Sequence, residues 1–202
     1  NEDIFLEGDG VYFGFTLKSW WQIYANNISA PFRETNYHPE VFYVAGLDWH
    51  PMGGNTGFTV GIEHESNGRS QLLSRSWNRV YTSFLYEKDD FAFSFRPWYR
   101  LREDKKIGPD DTDGDDNPDI ESYMGHFDFT AAYRSGNHEM TMLLRNNLRS
   151  ENKGAVELGW SFPLYDNIKG YVQYFNGYGE SLIDYDISQE RIGFGILLTD
   201  RL

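Results

Sequence analysis

The chain has 202 residues, no cysteine and a formal net charge of −13. The missing cysteines remove disulfides and thiolate metal sites, and the acidic balance excludes a phosphate-neutralising nucleic-acid surface. No apolar run approaches the ~18 residues a membrane helix needs, but a membrane barrel passes that test because only alternate residues of its strands must be apolar.

The chain starts at Asn1 without a basic stretch leading into an apolar one, as expected of a processed chain or a fragment. From there the pattern is period two, the signature of strands. Val11, Phe13, Phe15, Leu17, Trp21 and Ile23 share one face of the first strand, against Tyr12, Gly14, Thr16, Lys18 and Gln22. The same alternation predicts about ten strands, near 11–24, 41–50, 57–66, 77–88, 90–102, 121–134, 138–147, 154–163, 167–177 and 189–199. No linker or repeat divides the chain, so residues 1–202 read as a single all-β domain, an antiparallel transmembrane β-barrel. Trp20–Trp21, Trp49, Trp77, Trp98–Tyr99 and Tyr178 stand near strand ends and are expected in an interfacial girdle. Lys18, Arg96, Arg100 and Arg134 alternate with apolar residues and are expected to pair inside with Glu63, Asp128 and Glu157. A soluble barrel, with the apolar face turned inward, has the same periodicity.

One strand carries chemistry. Phe58, Val60, Ile62, His64 and Ser66 fall on one face, so the apolar stripe ends in a polar pair. A hairpin over 67–76 would bring Asn78 beside His64 on the next strand. That supplies a nucleophile (Ser66), a base (His64) and a neutral group (Asn78) to orient the base. A neutral Asn supports an imidazolium less than Asp would, so the oxyanion needs help from a metal or a metal-held water.

The string His64-Glu65-Ser66-Asn67-Gly68-Arg69-Ser70 and the string Ser74-Arg75-Ser76-Trp77-Asn78-Arg79 resemble the outer-membrane phospholipase A family. So do Lys18-Ser19-Trp20-Trp21-Gln22, the stretch 29–37 (SAPFRETNY), Asp116-Asn117-Pro118-Asp119-Ile120, Tyr123-Met124-Gly125 and the stretch 177–185 (GYGESLIDY). The resemblance implies a twelve-stranded barrel in the bacterial outer membrane. It also implies calcium-dependent hydrolysis of phospholipid and lysophospholipid acyl esters (A1 and A2), and a homodimer as the active form. By residue it implies Ser66 as nucleophile, His64 as base and Asn78 as orienter. The Gly68 N–H would form the oxyanion hole together with a calcium-held water. Calcium ligands would come from the Ser74 hydroxyl, the Arg69 carbonyl and, across the dimer, the Ser29 carbonyl. A second calcium site would use Asp116.

The chain departs from the family in places. Only about ten residues precede the first strand, where the family has one or two more strands, so a truncated or divergent start is expected. Gln71 stands where the second calcium site takes an acid, and Leu17 where the family can carry a dimer-tying Gln. In the loop 108–119, Asp111, Asp113 and Asp115 have calcium-loop spacing but lack the following Gly and the closing Glu. A hydrated acidic tip is the expected reading, with an additional calcium site as the alternative. A non-enzymatic barrel, a small porin or structural protein, is the competing function. Long and charged lumenal side chains leave little room for a channel.

Overall fold

Among the described residues ten antiparallel strands form one sheet in chain order. They are β1 Gly10–Trp21, β2 Phe32–Leu47, β3 Asn55–Ser66, β4 Ser76–Lys88, β5 Phe91–Leu101, β6 Phe127–Ser135, β7 His138–Asn146, β8 Gly154–Tyr165, β9 Ile168–Gly177 and β10 Gln189–Leu197. The computed structural model describes residues 3–108, 111, 114–165 and 168–198; Asp113 and the side chain of Gln71 lie outside it. Among the described residues β1 pairs only with β2 and β10 only with β9. The first two strands end three residues before the expected 24 and 50, and two strand starts differ further. β2 begins at Phe32 rather than near residue 41, because Glu34 and Asn36 turn their polar groups into the interior, where both are buried. Residues 121–124 form a helical turn, α1 Glu121–Met124, ended by Gly125 at φ 73°, so β6 starts only at Phe127.

The two faces are inverted relative to a soluble β-protein. Phe13, Phe15 and Leu17 on β1, Val60 and Ile62 on β3, Phe91, Phe93 and Phe95 on β5, and Ile192, Phe194 and Ile196 on β10 are all exposed. Between them in sequence, Glu63, Arg79, Ser83, Arg100, Glu139 and Ser161 are buried. A wall with apolar groups outside and ionic groups inside suits lipid on its outer side, and it rules against the soluble alternative.

The interior charges are matched. Glu63, 5% exposed, lies 2.6 Å from Arg79 Nε, accepts from His38 Nε2 at 2.8 Å and also pairs with Arg96. The Arg96 guanidinium stacks 3.6 Å over the Tyr81 ring, and the Tyr81 hydroxyl donates to Glu40 at 2.6 Å. Asp128 pairs with Arg145 at 2.8 Å, whereas Arg100 turns to Asp115 in a loop at 2.5 Å. Lys18 reaches the Glu180 carbonyl at 3.4 Å.

One end of the lumen is plugged. Ile120, Met124, Leu182 and Tyr185, from the loops after β5 and β9, pack on Trp77, Tyr81 and Trp98 from the wall. Trp77 and Trp98 are therefore not girdle residues: they meet edge to face at 6.1 Å, and Arg79 lies 3.8 Å over Trp77. Tyr178 likewise packs on Tyr123 at 5.3 Å. Burial, with a 2.5 Å hydrogen bond to Asp119, pushes the Tyr185 phenol well above its ordinary range. The other half of the interior is open, a cavity of about 1020 Å³ lined in part by Ala92, Ser94, Thr130 and Ala132.

Removing one member of a buried ion group leaves its partners uncompensated and costs about 3–5 kcal/mol. Glu63→Ala, which leaves Arg79 only its longer pair with Glu65 and Arg96 only that with Glu40, is expected to lower stability by that amount in urea unfolding of detergent-refolded protein. A loss below about 1 kcal/mol would mean that water screens these charges.

Candidate active site

The β3–β4 pairing builds the site. Its register sets His64 opposite Asn78 and Ser66 opposite Ser76. Because side chains alternate, His64 and Ser66 continue the exposed stripe of Val60 and Ile62, while Glu63 and Glu65 face inward. His64 Nδ1 lies 2.8 Å from Asn78 Oδ1. This bond leaves Nε2 as the imidazole nitrogen available for proton transfer. The Gly68 N–H donates to Ser66 Oγ at 3.1 Å. On its other side the Asn78 amide donates to Glu103 Oε1 at 2.8 Å.

The loop between β3 and β4 is wound around Asn67, which is buried. Its Oδ1 accepts from the Arg69 N–H at 3.2 Å and the Arg75 N–H at 2.9 Å, and its Nδ2 donates to the Leu73 carbonyl at 2.8 Å. Gly68 follows at φ 64°, a left-handed conformation that costs a residue with a Cβ strain, and that Cβ would sit 3.3 Å from the Tyr37 ring. Asn67 thus fixes the turn that aims the Gly68 N–H.

A second cluster adjoins this loop. Ser74 Oγ donates to Asp116 Oδ2 at 2.6 Å, Ser76 Oγ lies 3.3 Å from the same oxygen, and the Lys106 ammonium stands 2.5 Å from Oδ1. These hard oxygens suit a hard cation, and the cation beside them here is Lys106. Arg69 lies in the same loop, its side chain on Glu34 at 3.1 Å and on the Arg33 carbonyl. Ser29 lies elsewhere, exposed in the β1–β2 connection with left-handed backbone at φ 64°, and makes no hydrogen bond to Arg69, Ser74 or Asp116. The acidic loop spends its described carboxylates on itself and the wall. Asp111 accepts from the Ile107 N–H at 3.0 Å, and Asp115 takes Arg100 and the Asn117 N–H, the latter at 3.0 Å. His38, Glu40 and Glu63 also lie within metal-site range of one another, but Arg79, Arg96 and Tyr81 already occupy those carboxylates.

The sequence profile of the Phospholipase A1 family matches residues 1–198. This chain belongs to the phospholipase A1 family. It is 39% identical to Phospholipase A1 of Escherichia coli (strain K12) over 187 residues, covering 92% of this chain and 61% of that protein. The chain therefore spans about three fifths of the length of that curated relative. Among solved structures it superimposes on the Salmonella typhi outer membrane phospholipase dimer with bound calcium with a TM-score of 0.86 at 36% identity, covering 98% of this chain and 74% of that one. It also superimposes on an active-site mutant of E. coli outer membrane phospholipase A, in which an asparagine is replaced by alanine. That TM-score is 0.88 at 36% identity, with 98% of this chain and 74% of that one covered.

The expected group Ser66, His64, Asn78 and Gly68 is brought together, as are Ser74 and Asp116. Asn67, Glu103 and Lys106 were not singled out from the sequence. Asn67 stands inside the family string, but its role depends on a turn geometry. Glu103 and Lys106 sit in an irregular segment whose course no periodicity reveals.

Asn67→Ala removes three hydrogen bonds within the loop, each worth about 0.5–1.5 kcal/mol net. Amide exchange at Gly68, Arg69 and Arg75 is expected to quicken at least roughly tenfold, with the strand amides of β3 and β4 unchanged. Equal protection in the variant would show that the loop does not depend on Asn67.

Proposed function

We propose that this chain is an outer-membrane phospholipase that hydrolyses acyl esters of glycerophospholipids and lysophospholipids on the outer face of its strand wall. The observation that carries this reading is the His64–Asn78 hydrogen bond beside Ser66, placed at the end of an exposed apolar stripe. A hydrogen-bonded polar group on that face is of no use to the wall as packing, yet it lies where an acyl chain can remain in lipid while its ester reaches the serine.

The steps follow from the donors and acceptors. Ser66 Oγ attacks the ester carbonyl carbon as His64 Nε2 takes the hydroxyl proton. The Asn78 oxygen, held on Nδ1–H, keeps the tautomer in which Nε2 can accept. The Gly68 N–H, which meets Ser66 Oγ in the resting site, is released to the carbonyl oxygen as negative charge builds there. The imidazolium returns its proton to the departing alcohol, and water repeats the sequence on the acyl-serine to release the fatty acid. The absence of anionic charge on Asn78 puts more demand on the oxyanion side.

That demand fits calcium, which is bound in the Salmonella typhi relative. A second calcium would take Asp116, and the calcium beside the oxyanion would be held by the Ser74 hydroxyl and the Arg69 carbonyl, with the Ser29 carbonyl of a second copy completing the shell. When bound it supplies positive charge close to the oxyanion. The second site carries one condition: Lys106 pairs with Asp116 and must yield to the ion. A homodimer is supported by that same relative, which is a dimer, and by the exposed apolar face around Leu17 and Tyr37 on β1 and β2.

Detergent-refolded protein is expected to release fatty acid from phosphatidylcholine micelles with calcium, and to lose that release in EDTA. Ser66→Ala should reduce it by roughly a thousandfold or more. Release that persists in Ser66→Ala would remove Ser66 from the mechanism, and release that persists in EDTA would remove calcium. Lys106→Gln is expected to bind calcium about tenfold more tightly than the parent by isothermal titration, since it removes a competing charge from Asp116. Equal affinity would place calcium away from Asp116.

A further inference from the structure

We propose that Glu103 is a positioning residue of the active site, extending it to a relay of Ser66, His64, Asn78 and Glu103. The assignment rests on the hydrolase reading above and on a contact within the chain: Asn78 Nδ2 donates to Glu103 Oε1 at 2.8 Å while Asn78 Oδ1 faces His64 Nδ1 at 2.8 Å.

An asparagine side chain can be turned over, exchanging its oxygen for its NH₂ with almost no change in shape. Turned the wrong way, Asn78 would present N–H groups to the imidazole and could not accept the His64 proton. An ionised carboxylate only accepts hydrogen bonds. Glu103 therefore admits one orientation, with Nδ2 toward itself and Oδ1 toward His64. The reversed amide would set oxygen against carboxylate.

The second effect is electronic. Donation from Nδ2 to an anion polarises the amide and moves electron density onto Oδ1, which strengthens it as an acceptor for the imidazole N–H. This matters most when His64 becomes cationic during attack. Through the amide, a neutral Asn gains part of the support that an aspartate would give directly.

The sheet explains how Glu103 arrives there. Leu101, the last residue of β5, pairs with Asn78 and is exposed on the outer face. Continuing the alternation places Glu103 on that same side, two positions on. The intervening Arg102 lies 3.9 Å from Glu121 in a different direction. On this face the neighbouring strands also carry the titratable side chains of Tyr37, opposite Ser66 on β2, and Tyr99, opposite Val80 on β5. Glu63, Glu65 and Arg79 belong to the inner face and are paired with one another.

The test compares wild type, Ser66→Ala, Glu103→Gln, Asn78→Asp and the Asn78→Asp/Glu103→Gln double variant. Each is refolded in detergent, checked by thermal melting and assayed on phosphatidylcholine micelles with calcium. Glutamine has the shape of glutamate and can still accept from Asn78, but it carries no charge and can itself turn over. Glu103→Gln is expected to lower kcat roughly tenfold with KM unchanged. Asn78→Asp alone sets two carboxylates against each other and is expected to be poorly active. The double variant lets the new amide donate to Asp at 78, and should recover at least about tenfold over Asn78→Asp, a non-additive outcome. If Glu103→Gln stays within twofold of wild type, or the double variant is merely additive, the assignment to Glu103 is overturned while the hydrolase reading stands. If hydrolysis survives Ser66→Ala, the site itself has been misassigned and Glu103 falls with it.

Discussion

Everything in this protein follows from a wall whose outer side is apolar and whose inner side must absorb the charge. A strand with Ile62 facing out has Glu63 facing in, and an isolated buried carboxylate is too costly to keep ionised. The chain meets this cost laterally, between strands: Glu63 from β3 meets Arg79 from β4, His38 from β2 and Arg96 from β5. Such pairs add little to net stability compared with apolar packing, but losing one member is expensive. They therefore act as register pins. A slip of one residue between β3 and β4 would put Glu63 into lipid and would also separate His64 from Asn78. The structural ions inside and the chemical group outside depend on the same alignment.

How much of this was legible in the sequence depends on where each property resides. Strand existence was readable because lipid and lumen impose a strict alternation, and the His64–Ser66 face came from the same arithmetic. The start of β2 was not, because its first half, from Phe32 through Pro39, is polar on the inward side and carries a proline, both marks of a loop in a soluble protein. Trp77 and Trp98 look like girdle residues by position. Their inward parity was visible, but only the loops carrying Ile120, Met124 and Leu182 explain why aromatics should face a polar lumen. Residues 102–120 obey no period, so the contacts of Glu103, Lys106 and Asp115 depend on tertiary structure alone.

The plugged end and the open end divide the molecule's work. At the plugged end, the loops after β5 and β9 fill the lumen with Ile120, Leu182 and Tyr185 and brace the wall behind the β3–β4 loop. Arg100 fastens Asp115, which caps the Asn117 N–H, and Asn117 in turn accepts from the Ser76 N–H at 3.0 Å. The loop bearing Glu103 is thus tied from both sides to β4, the strand that bears Asn78. At the other end small side chains such as Ala92 and Ala132 leave the interior open.

This division also bears on why the site uses an asparagine. An aspartate at residue 78 would place an ionised group on the lipid-facing stripe, adjacent to Val80, where desolvation penalises charge heavily. An amide is far cheaper there, but it is a weaker acceptor and has two orientations. Putting the carboxylate one residue farther out, on the segment that leaves β5 toward solvent, keeps the charge out of the apolar band and lets the amide carry its influence inward. Under the proposed assignment cost and function pull in opposite directions at residue 78, and splitting the roles between Asn78 and Glu103 satisfies both.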